Sequence, residues 1–185
     1  SSQHREDSSR YGGAMAAGVD RVWFAIDPGT TKSGWVIWSR ARGVIKKGID
    51  DNGVVVERLD GNTFDVCAIE RFEARGMAVG VDSLETVWWS GKFAAHVEHL
   101  SPRARVVRPT RREIKVHLCG TVRARDSNVR QALLDRYGST RQRAIGTKAK
   151  PGPLHGVSSH VWAALAVAVT ASDLDVFTPS DRCVN

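Results

Sequence analysis

Two carboxylates stand at matching places in the chain. Asp27 follows the apolar run Val22, Trp23, Phe24, Ala25 and Ile26, and Glu70 follows the shorter run FDVCAI over 64–69. Each reads as a buried strand that delivers one acid at its end. A charge at the mouth of an apolar strand needs a partner, and a divalent metal ion or a phosphate-bound cation supplies one. Divalent ions held between carboxylates support phosphodiester hydrolysis, because they provide a nucleophilic water, an in-line geometry and neutralisation of the phosphate. Taken alone, Asp27 has a plainer account as a turn-capping aspartate before Pro28 and Gly29. His160 opens the last apolar helix, where a bond to a backbone carbonyl is the ordinary use of a histidine.

The bulk composition sets the class of partner. Lys and Arg number 27 against 20 Asp and Glu, a net charge of +7, and the pI is near 9.8. Such a balance suits a polyanion, with solubility as the rival explanation. The basic residues gather in two segments, one holding Arg111, Arg112, Lys115, Arg123 and Arg125, the other Lys148 and Lys150. The three cysteines, Cys67, Cys119 and Cys183, are odd in number and lack CxxC spacing, which argues against a zinc ribbon or a disulfide framework and for a reducing compartment. No apolar stretch reaches the roughly 20 residues needed to cross a bilayer, and the start of the chain has no signal-peptide core.

The 185 residues fit one domain. Residues 1–20 read as a disordered leader with Met15 as a natural start, 21–176 as the domain, and 177–185 as an irregular tail. A hairpin spans 21–38, with Gly29 and Gly34 supplying positive φ in its turn. A third strand follows over 43–48, a short helix over 50–61, and the strand ending at Glu70. After a loop over 71–81 comes a helix over 82–100, capped by Asp82 with Glu85 three residues on; Leu84, Val87, Trp88, Gly91 and Ala95 recur on one face. A strand over 105–108 and a basic helix from Pro109 and Thr110 to Gly120 follow, then a basic loop over 121–125. Asp126 caps a helix with Val129, Ala132, Leu133 and Tyr137 on one face. Residues 138–156 read as a long, mobile, cationic loop. Ser158 or Ser159 caps the final helix. This order predicts an α/β fold with a mixed sheet.

As an ordered set these segments resemble the RNase H-like superfamily and, within it, the RuvC-type Holliday junction resolvases, with the phage and prophage relatives nearest. DPGTTKSG resembles the first RuvC motif, whose strand-end aspartate is a metal ligand. AIERF at 68–72 resembles the second, whose glutamate binds metal. GMAVG, ETVWWSGKF, RPTRREIKVHLCGTVRARDSNVRQALLDRYG and KPGPLHGVSSHVWAALAVAV resemble blocks of the phage-type subgroup. The likeness covers about residues 21–172. One departure stands out. The family carries acids, or a histidine and an acid, on the last helix, and here that register gives His160 and Ala163.

The resemblance implies an RNase H-like fold with a five-stranded mixed sheet flanked by helices. It implies a structure-selective endonuclease for branched DNA, the four-way junction above all, with two Mg²⁺ or Mn²⁺ ions per site. Asp27, Glu70 and His160 are its implied ligands, His160 with a second possible use as general base. Ala163 leaves a fourth ligand missing or supplied elsewhere, with Asp126 and Asp173 as candidates. Lys32 becomes a contact of the scissile phosphate, against a solvated turn lysine as the plainer account, and the two basic segments become contacts of the DNA arms, against solvated surface charge. Phe72 falls where the family has an aromatic that wedges at the junction, against burial in the core as the competing account. A homodimer follows from the two symmetric scissile phosphates of a junction, with the 82–100 helix and its Trp88, Trp89 and Phe93 as the interface. The implied setting is the cytoplasm of a bacterial or phage-infected cell. A non-cleaving junction-binding protein and an RNA-processing nuclease of the same superfamily remain as alternatives. An ATP-binding protein of the actin type would need two such lobes, and the chain has room for one.

Overall fold

The apolar runs on either side of Asp27 pair with each other. In the computed structural model, which describes residues 20–177 apart from 75, 77, 101–103 and 139, β1 (Val22–Asp27) and β2 (Lys32–Ser39) form an antiparallel hairpin with Asp27 opposite Gly34. The leader and the tail, with Met15 and Cys183, therefore lie outside the described residues but for Asp20 and Phe177. β3 (Gly43–Asp51) adds antiparallel to β2, with an irregularity between Ile37 and Trp38. β4 (Val66–Ile69) joins β1 in parallel and β5 (Arg105–Val107) joins β4 in parallel. The resulting five-stranded mixed sheet has the order β3-β2-β1-β4-β5.

Parallel neighbours need crossovers. α1 (Asn52–Asp60) carries the chain from β3 to β4, and α2 (Val81–Leu100) carries it from β4 to β5. The central strand is apolar at every interior position because both of its faces are covered. Phe24 and Ile26 pack with Val55, Leu59, Phe93 and Val97 of α1 and α2. Trp23 and Ala25 pack on the opposite face with α3 (Arg111–Cys119), α4 (Asp126–Gly138), α5 (Arg141–Ala144) and above all α6 (Ser159–Phe177). Ala164, Ala166 and Ala168 of α6 are fully buried, and their small side chains let this helix lie close on the sheet.

Four local expectations are corrected. α2 buries Ser90, Phe93, Ala94 and Val97, while Leu84, Val87 and Trp88 face outward; the helix is apolar on both sides, so periodicity alone marks the wrong face. Its entry is capped by the Gly80 carbonyl, which accepts from the amides of Ser83 and Leu84, and Asp82 lies inside the first turn. At α4 the Arg125 carbonyl accepts from Asn128 and Val129, so Arg125 holds the cap position and the Asp126 side chain is released for other use. Residues 140–156 carry structure of their own rather than forming a bare loop. Thr140 caps α5 through the Arg143 amide, Gly146 bridges to Pro151, and Ala144 and Leu154 are fully buried anchors.

Candidate active site

Parallel pairing sets the two strand-end acids side by side. Ile26 lies opposite Ile69, and the Glu70 amide donates to the Ile26 carbonyl at 3.1 Å. Both chains then leave the sheet at the same edge, one at Asp27 and the other at Glu70. The turn after Asp27 is held by a residue that no sequence signal marked. Asn52, fully buried at the start of α1, donates to the carbonyls of Gly29 and Thr30 and accepts from the Ser33 hydroxyl at 2.6 Å. Ser33 in turn accepts from the Gly29 amide. Asn52 follows two aspartates in a polar stretch, and only the tertiary fold brings it under the turn.

Gly34 has a different role from the one expected of it. Neither Gly29 nor Gly34 has positive φ. A Cβ on Gly34 would lie 2.5 Å from the His160 carbonyl oxygen and 2.7 Å from its Cβ. Glycine there allows the first turn of α6 to rest directly against β2, opposite Asp27. His160 Nδ1 consequently lies 3.0 Å from Asp27 Oδ2. With Nδ1–H donating to the carboxylate, the Nε2 lone pair is free, and the ring is 62% exposed toward the cleft mouth. Ser159, just before it, adopts φ 40°, a left-handed conformation costly for a residue with a Cβ.

Arg111 reaches the site by a short chain of backbone constraints. Arg71, next to Glu70, donates its amide to Pro109 and bridges in parallel to Thr110. Thr110 and Glu113 form a reciprocal capping box that starts α3 at Arg111. The guanidinium then lies 3.2 Å from Glu70 Oε2 and 2.6 Å from Asp126 Oδ1. Asp27, Glu70, Arg111, Asp126, Ser159, His160 and Ala163 line one cleft of about 380 Å³.

Burial dominates the electrostatics. It pushes the Glu70 carboxyl up to about 7 against the pull of Arg111, with Asp27 and Asp126 adding repulsion. It also raises the pKa of Asp27, while the bond and charge of His160 act the other way. The cleft therefore holds acids close together at an electrostatic cost, which a cation between them would offset.

The remaining expected site residues divide clearly. Ala163 lines the cleft without contributing a donor, and Asp126 lines the same cleft. Asp173 is elsewhere. Burial opposes its charge, but Arg136, His117 and Arg40 together hold its carboxyl below the usual range, so it ties α6 to α3, α4 and the end of β2. Lys32 pairs loosely with Asp51 at 3.8 Å and does not line the cleft. Phe72 is 40% exposed, which removes core burial as its account. Arg112, Arg123, Arg125, Lys148 and Lys150 are exposed, and Lys115 is half-buried. Met77, in the GMAVG block five positions after Phe72, lies outside the described residues.

Three carboxylates and an imidazole around one cleft are a donor set of the kind that Mg²⁺ or Mn²⁺ takes. Among the described residues no three acid, histidine or cysteine side chains converge tightly enough to hold one ion as they stand. The guanidinium of Arg111 lies between two of the donors. The residues therefore fit a divalent cation in kind, with an arginine occupying part of the space.

No family model and no curated protein sequence matches the chain. Solved structures do. Thermus thermophilus RuvC superposes with a TM-score of 0.59 at 17% identity, covering 84% of this chain and 96% of that one. T. thermophilus RuvC in complex with Holliday junction substrate superposes at 0.57 and 19%, covering 85% and 96%. The chain has the RNase H-like fold in its RuvC-like form.

Proposed function

We propose that the protein is a divalent-metal-dependent endonuclease that cleaves branched DNA, with the four-way junction as its substrate. The observation that carries this reading is the adjacency of Asp27 and Glu70 on neighbouring parallel strands, with His160 bonded to Asp27 at the rim of the same cleft. The RuvC-like fold supports it, as does the net positive charge.

Asp27 and Glu70 would hold Mg²⁺ or Mn²⁺, two ions per site, with Asp126 supplying the further carboxylate that Ala163 cannot. Such ions lower the pKa of water and neutralise charge building on the phosphate. Asp27 orients His160 through Nδ1, and His160 accepts a proton from the attacking water at Nε2, the nitrogen facing away from Asp27. Burial of the acids strengthens every charge interaction in the cleft. Arg112, Lys115, Arg123, Arg125, Lys148, Lys150 and Lys32 would contact phosphates of the arms, and Phe72, exposed two residues after Glu70, would stack at the branch point. Two copies would act on the two symmetric strands, in the cytoplasm of a bacterial or phage-infected cell. Among the described residues no helix is long and apolar enough to cross a membrane.

The test is incubation of the purified chain with a synthetic four-way DNA junction, a flap and the matching branched RNA, with Mg²⁺ or Mn²⁺. Junction cleavage is expected, abolished by Asp27→Asn or Glu70→Gln and slowed about 10²–10⁴-fold by His160→Ala. Tight junction binding without product would establish the non-cleaving alternative, and cleavage of the RNA alone would establish an RNA-processing nuclease.

A further inference from the structure

Arg111 is the odd member of the cleft. A cation-binding site gains nothing from a guanidinium at its centre, yet this one bonds two of the three acids. Its backbone is fixed by the capping box of α3, so only the side chain can move. Its long side chain is 28% exposed. Asp126, its closer partner at 2.6 Å, is 76% exposed, so releasing the guanidinium leaves its carboxylate solvated and available to an ion. Glu70 is the buried partner, its side chain only 16% exposed, and a carboxylate taken out of water needs a cation beside it.

We propose that Arg111 is a resident counter-cation that a divalent ion must displace. In the metal-free protein it neutralises Glu70 and Asp126 and keeps the acid cluster folded. When the ion enters, the guanidinium leaves Glu70, and the ion takes over the oxygens it held. Arginine suits this use because its charge is permanent and its fork spans two carboxylates. The site is thereby protected from collapse when empty, at the expense of metal affinity. This inference rests on the metal-binding reading of the cleft.

The experiment is a calorimetric titration of the full chain with Mn²⁺ in the absence of DNA, comparing wild type, Arg111→Gln, Arg111→Lys and Asp27→Asn. Arg111→Gln is expected to bind Mn²⁺ at least tenfold more tightly than wild type, with Arg111→Lys between them and Asp27→Asn reducing binding. Metal-free Arg111→Gln should melt below wild type, and Mn²⁺ should raise its melting temperature by the larger amount. Because Arg111→Gln could fail to fold, the wild-type chain supplies a second readout. The Arg111 Nε–H resonance should shift with the same midpoint as Mg²⁺ binding. Equal or weaker Mn²⁺ binding by a folded Arg111→Gln variant, or an Arg111 resonance unmoved at saturating Mg²⁺, overturns the proposal and leaves the nuclease reading standing. Absence of metal binding in wild type and Arg111→Gln alike overturns both.

Discussion

Glu70 is the residue whose titration most exposes the strain in the cleft. Its carboxyl ionises near 7 in the folded chain, against an ordinary value of 4.5. A carboxyl with a raised pKa keeps its proton in the folded state after the unfolded chain has lost it. The stabilisation is therefore complete below pH 4.5 and is lost as pH rises through 7. Urea unfolding of the metal-free protein should show wild type losing stability relative to Glu70→Gln across that interval, by roughly 2 kcal/mol at 1.36 kcal/mol per pKa unit with allowance for partial solvation. Parallel stability curves for the two proteins would remove burial as the cause. At this scale the strand-end acids were legible because each interrupts an apolar run. Asp126 has two accounts in the sequence, since a capping aspartate and a site aspartate look alike until Arg125 is seen to hold the cap position. Asn52 carried no signal, because its partners at Gly29, Thr30 and Ser33 are distant in the chain.

The elements were more legible than their faces. Five strands and the main helices follow from apolar runs, glycines and prolines that alternate on the expected periods, and the mixed sheet follows from their order. The buried side of α2 was not legible, because Phe93 and Val97 on one face compete with Leu84 and Trp88 on the other. The fold of 138–156 was hidden by its glycines and lysines, although Ala144 and Leu154 anchor it. Gly34 shows the same lesson inside the site, since what it permits is the approach of another element. Gly34→Ala should force α6 from β2, because backbone atoms of His160 lie within 2.6 Å of the new Cβ. An overpacking cost of about 1–3 kcal/mol is expected, together with reduced cleavage by the protein that does fold. Gly53→Ala in α1, where a Cβ meets nothing within 4 Å, should instead be neutral or stabilising by up to about 1 kcal/mol. Thermal melts of both variants decide the matter; equal effects would mean the contact at Gly34 is not tight.

At the scale of the molecule, the outward face of α2 asks for a partner. Leu84 is 59% and Trp88 is 54% exposed, with Val81 and Val87 beside them. Phe93, expected at an interface, is fully buried and serves the core, while Trp89 packs partly against that core. A two-fold pair joined through this stripe would give one assembly two clefts for the two strands of a junction. Sedimentation at micromolar concentration should find wild type dimeric and the Leu84→Glu, Trp88→Glu variant monomeric, with melting temperature little changed. A monomeric wild type, or a variant that stays dimeric, would assign the stripe no such role. The claim beneath all of this is that Asp27 and Glu70 hold metal, and anomalous diffraction from crystals soaked in Mn²⁺ tests it most directly. Manganese peaks are expected in the cleft, in direct contact with both carboxylates, with the Arg111 guanidinium moved off Glu70. Saturating Mn²⁺ with no peak between these two acids would contradict it.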